Sequence, residues 1–72
     1  MWIILKHNKC LLNVNHLIKV ELLPKDKRLI FVMQGQQGFV VVDFKSTEDV
    51  LVTYESLQDF LTGKSCEKEF VI

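Results

Sequence analysis

Seventy-two residues allow one small domain and leave no room for a second core. An apolar fraction of 49% excludes a disordered chain, and nine basic residues balanced by nine acidic ones exclude recruitment of nucleic acid or an anionic membrane by net charge. Chains this short seldom stabilise themselves on one core and often add a metal, a disulfide or a partner subunit, so a homodimer is expected.

In chain order, residues 2–7 (WIILKH) are β-branched and aromatic and predict a first strand. Asn8-Lys9 suits a two-residue turn, because asparagine tolerates the left-handed conformation such hairpins need. Residues 10–13 then predict a short return strand, and Asn13-Val14-Asn15 a bend or a single helical turn around Asn15-His16. Residues 18–23 (IKVELL) alternate, placing Ile18, Val20 and Leu22 on one side and Lys19 and Glu21 on the other. Pro24-Lys25-Asp26-Lys27 reads as a solvated turn.

Residues 29–42 (LIFVMQGQQGFVVV) predict a hairpin closed by a glycine-bearing turn at 34–38. Strict alternation fails here. Leu29, Phe31 and Met33 fall on one side, yet Ile30 and Val32 on the other are as apolar, and Val40 and Val42 oppose Phe39 and Val41 in the same way. Both faces of this hairpin therefore call for cover, and Ile30, Val32, Val40 and Val42 are the expected interaction surface.

Ser46-Thr47-Glu48-Asp49 has the form of a helix start, with Ser46 as cap and two acids at the positive end of the helix dipole. Val50, Tyr54, Leu57, Phe60 and Leu61 form the apolar stripe, and Gly63 is a natural stop. The predicted fold is α+β: a small antiparallel β-meander of about five strands followed by one helix packed on the sheet, together a single domain over residues 1–63. Residues 64–72 are expected to be a tail or a short extra strand ending in Phe70-Val71-Ile72.

Chemistry-bearing patterns are sparse. His7, Cys10, His16 and Cys66 lack the paired spacing of a zinc site, and two distant cysteines make no disulfide framework. No Cys–His pair is poised by a third group, and adjacent Glu48 and Asp49 are better explained as helix-start charges. No catalytic residue, metal or cofactor is assigned. Gly63-Lys64-Ser65 resembles the end of a phosphate-binding loop, but residue 58 is Gln and a helix precedes the motif. Gly35-Gln36-Gln37-Gly38 has the GXXG form of KH domains, but it joins two strands and holds no basic residue.

Charge is unevenly spread, with a balance of plus four over residues 1–42 and minus four over 43–72. Lys25, Lys27 and Arg28 are the candidate contacts for an alternative reading as a nucleic-acid-binding regulator. Such sites interleave basic residues with exposed aromatics, whereas Trp2, Phe31 and Phe39 lie in runs expected to be buried, so a solvated turn is the better reading. The apolar 29–42 stretch is too short to cross a bilayer, and the lysines of the amino-terminal segment follow its apolar run, so neither membrane insertion nor secretion is expected. The expected location is the cytoplasm.

The stretch 12–21 (LNVNHLIKVE), with Pro24, Gly35, Phe39-Val40-Val41 and Ser46-Thr47-Glu48-Asp49-Val50 following in order, resembles the FlbD family of small flagellar and swarming-motility proteins. The resemblance covers about residues 1–63; Asn8-Lys9, the longer 35–38 turn and the Phe70-Val71-Ile72 ending depart from the family pattern. It implies a non-enzymatic accessory protein of bacterial motility and carries over no active-site residue. The expected function is therefore a non-catalytic interaction module that binds a protein of unknown identity through a sheet edge or an apolar face.

Overall fold

The computed structural model describes residues 1–35, 38–64 and 66–72. The fold is α+β. Strands β1 (Trp2–Leu5), β2 (Cys10–Asn13), β3 (Leu17–Leu23), β4 (Arg28–Met33), β5 (Phe39–Asp43) and β6 (Glu69–Val71) are joined by one helix, α1 (Thr47–Leu61), which lies between β5 and β6 in the chain. The strands do not form one meander. They make two three-stranded sheets, β2-β1-β6 and β3-β4-β5.

The break between sheets falls at a 3-10 turn over Val14–His16, where the Asn13 side chain accepts the Asn15 N–H at 3.0 Å. That local bond competes with strand continuation, so β3 leaves β2 and joins the hairpin instead. The edge of β1 away from β2 is taken by β6, which runs parallel to it with Phe70 opposite Ile3. Backbone bonds from Trp2 N–H to the Lys68 carbonyl (3.1 Å), from Ile72 N–H to Ile4 (2.8 Å) and from Lys6 N–H to Ile72 (3.1 Å) close this ladder. Phe70 meets Phe60 of α1 at a ring distance of 5.4 Å, a tilted aromatic pair. Residues 69–71 are thus a strand with an apolar anchor.

Two strand details differ from the alternation pattern. The expected Asn8-Lys9 turn is longer: β1 ends at Leu5, the Lys6 carbonyl accepts the Lys9 N–H at 3.3 Å, and Lys9 takes the left-handed conformation (φ 50°). In β3 the register against β4 shifts between Leu17 and Lys19. This bulge turns Ile18 outward, to 62% exposure, while Val20 and Leu22 keep their packing against the core.

The helix forms as its termini predict. Ser46 Oγ accepts the Asp49 N–H at 3.1 Å, and Glu48 and Asp49 occupy the first turn. At the other end Gly63 sits at φ 82°, Lys64 N–H reaches the Asp59 carbonyl at 3.0 Å and Gly63 N–H reaches Phe60 at 3.4 Å, a Schellman closure. Thr47 Oγ1 donates to the Pro24 carbonyl at 3.3 Å, tying the helix start to the β3–β4 turn.

The core lies where both sheets meet α1. Ile3 and Leu5 of β1, Leu12 of β2, Leu29, Phe31 and Met33 of β4, Val42 of β5, and Val50, Leu57 and Phe60 of α1 are all buried. Each large apolar side chain so enclosed contributes about 1.5–3 kcal/mol. No helix among the described residues is long and apolar enough to cross a membrane.

Candidate interaction surface

The face of β3-β4-β5 turned away from the core is built by register. Arg28 faces Asp43, Ile30 faces Val41 and Val32 faces Phe39 on one flank of β4; Leu23, Glu21 and Lys19 face the same β4 residues on the other. Three cross-strand rows result: Lys19–Val32–Phe39, Glu21–Ile30–Val41 and Leu23–Arg28–Asp43. The backbone bonds from Phe44 N–H to Lys27 (2.7 Å) and from Met33 N–H to Gly38 (2.9 Å) set the alternation of the β4–β5 ladder. Ile30–Val41 and Val32–Phe39 are accordingly non-hydrogen-bonded pairs, the kind whose side chains approach most closely. This close pairing half-buries Ile30, Val32 and Val41 without any layer above them, while Phe39 remains 63% exposed.

The charges around this apolar quartet are already engaged. Lys19 Nζ meets Glu21 Oε1 at 2.8 Å, and Arg28 Nε donates to Asp43 Oδ1 at 2.8 Å. The hydrogen bond to Asp43, and then its negative charge, hold the Arg28 guanidinium above its ordinary pKa. One unpaired group of the β5 edge is also taken: Asn8 Nδ2 of the β1–β2 turn donates to the Val41 carbonyl at 3.3 Å. Strand addition at that edge would first have to displace Asn8.

Of the four residues expected to form one surface, Ile30 and Val32 lie on the open side, but Val40 and Val42 do not. Val42 opposes Leu29 and Val40 opposes Phe31, so both turn to the core. Apolar content is equal on the two sides of β5, and only pairing register decides which side opens. Phe39 and Val41 stand in their place. Phe39 and Trp2, both expected to be buried, are exposed, whereas Phe31 is enclosed.

Lys25 and Lys27 project from the Pro24–Asp26 turn, with Lys27 at φ 55°, and Arg28 is held by Asp43. This basic turn lies at one end of the β4–β5 ladder and Phe39 at the other, about 13 Å away at the usual strand rise. Basic and aromatic groups are therefore not interleaved. The histidines part as well: His16 borders a depression with Trp2 and Gln34, and His7 borders another beside Phe70 and Lys45. No three His, Cys, Asp or Glu side chains cluster to hold a metal among the described residues. Cys10 is half-buried and Cys66 exposed, both as free thiols. Gln36 and Gln37 of the GXXG segment and Ser65 of the Gly63-Lys64-Ser65 stretch lie outside the described residues.

No protein-family model, no curated protein and no solved structure matches this chain.

Proposed function

We propose that this protein is a non-catalytic interaction module that seats another protein on the open face of β3-β4-β5. The observation that carries the reading is the quartet Ile30, Val32, Val41 and Phe39, contiguous on the outward side of a sheet whose other face is the core, with Phe39 63% exposed and the other three half-buried. Because Lys19–Glu21 and Arg28–Asp43 are mutually neutralised, the face offers apolar area and shape instead of net charge. The matching partner surface is apolar, with Phe39 as the protruding anchor. The resemblance of residues 1–63 to FlbD-like proteins supplies the setting, an accessory role in bacterial motility in the cytoplasm.

Capture from a lysate of the source cell tests the reading, with Val32→Asp and Phe39→Asp compared against the wild type. The expected result is one protein retained by the wild type and lost from both variants, with circular dichroism unchanged. Retention of the same proteins by all three forms would overturn it.

A further inference from the structure

The second sheet also has an outward face, and its chemistry differs from that of the first. Ile3 and Leu5 point to the core, so Trp2 and Ile4 point away, and register sets Asn13 and Glu69 on either side of Trp2 and Leu11 and Val71 on either side of Ile4. Trp2 is 45% exposed, Leu11 63% and Val71 49%. Lys6 continues the alternation past Ile4, on the side of Trp2, and its N–H extends the ladder to Ile72. The face thus runs from an acidic end, Glu69 beside Trp2, through an apolar middle row, to a basic end at Lys6. Neither Glu69 nor Lys6 has an ion-pair partner among the described residues.

We infer that a second copy of this chain covers this face, stacked across a two-fold axis that runs perpendicular to β1 at the level of Ile4. Two directions of an in-plane two-fold axis, along the strands and across them, keep the strands of two stacked sheets nearly aligned, as face-to-face sheets commonly pack. An axis along the strands lays like ends together, Lys6 on Lys6 and Trp2 on Trp2, with repulsion at the basic end. An axis across the strands reverses one copy. Lys6 of each chain then arrives over Trp2 of the other, with Glu69 one strand away, and the Leu11–Ile4–Val71 rows meet in the middle.

The levels of Trp2 and Lys6 are about 13 Å apart, so both ends engage at once when the facing sheets lie about 10 Å apart. Each lysine gains an indole face and a carboxylate, an arrangement that a cation–π contact and an ion pair both favour. The other sheet lacks this self-complementarity, because its charges are already paired within the chain. Self-association through β2-β1-β6 leaves the β3-β4-β5 face free, so this inference stands independently of the function proposed above.

Sedimentation equilibrium of the full chain tests it, with the variants Lys6→Glu, Glu69→Lys, the double swap, Leu11→Arg and, as control, Val32→Asp. The wild type is expected to dimerise. Each single swap should raise the dimer Kd about tenfold, since a two-fold interface repeats every lost pair. The double swap should restore it, and Leu11→Arg should give a folded monomer. A monomeric wild type at millimolar concentration overturns the inference, as does a double swap no tighter than the single ones. A dimer indifferent to Leu11→Arg but abolished by Val32→Asp overturns it too, by placing the contact on the other sheet.

Discussion

Two apolar residues of β5 have opposite fates. Val42 pairs with Leu29 inside the core, whereas Phe39 pairs with Val32 in the open. A charge placed at each position should therefore act very differently. Val42→Asp is expected to destabilise the fold by at least about 3 kcal/mol, because a buried carboxylate has no partner there. Phe39→Asp should cost no more than about 1 kcal/mol, the worth of one cross-strand pair. Urea unfolding of both variants checks the contrast, and equal losses would mean that the register is not as described. Lys27 provides a second test at this scale. It holds a left-handed conformation (φ 55°) at the end of the Pro24 turn, which glycine adopts without a steric penalty. Lys27→Gly should leave stability unchanged or raise it by about 0.5 kcal/mol, measured by the same unfolding, in spite of the lost side chain.

The elements differ in what secures them. Helix α1 is specified at both ends by local groups, Ser46 Oγ and the Gly63 closure, and along its length by Val50, Leu57 and Phe60. Strand β6 has only three residues, too few to be stable alone even with the strand-favouring Phe70 and Val71, so the Phe70 ring and the β1 ladder must hold it. Phe70→Ala is expected to cost about 2 kcal/mol, less than a fully buried phenylalanine because the ring is half-buried. Hydrogen exchange should show the Ile72 and Lys6 amides, both bonded in this ladder, losing protection first. Unchanged protection would mean that backbone pairing alone holds the strand.

For the whole molecule, two sheets and one helix enclose a single core, yet each sheet presents apolar side chains outward. One outward face is framed by internally satisfied ion pairs and the other by unpaired opposite charges. This asymmetry is the ground for proposing a foreign partner at the first face and self-association at the second. If the chain dimerises as inferred, its melting temperature should rise with protein concentration, whereas that of Leu11→Arg should not. Differential scanning calorimetry over a hundredfold concentration range separates the two behaviours. A wild type whose melting temperature is independent of concentration argues against a dimer coupled to folding.

Local chemistry was enough to make several features legible in the residues alone. The α+β class, the glycine-closed hairpin, the turns at Asn13–His16 and Pro24–Lys27, and both helix ends depend on groups a few residues apart, which bond to one another wherever the chain goes. The two-sided apolar character of residues 29–42 was also plain. What could not be read was which side opens. A run apolar on both faces satisfies either register equally, and the choice of Phe39 over Val40 came from pairing with β4 and from where Phe31 found its cover. The division into two sheets was hidden for a related reason, since β1 takes β6 from the far end of the chain as its neighbour. Sequence alone determined the kinds of element and their local ends, because short-range bonds carry that information. Only the tertiary structure decided which apolar side chains remain exposed and which charges stay unpaired, because both depend on strands brought together over long separations in the chain.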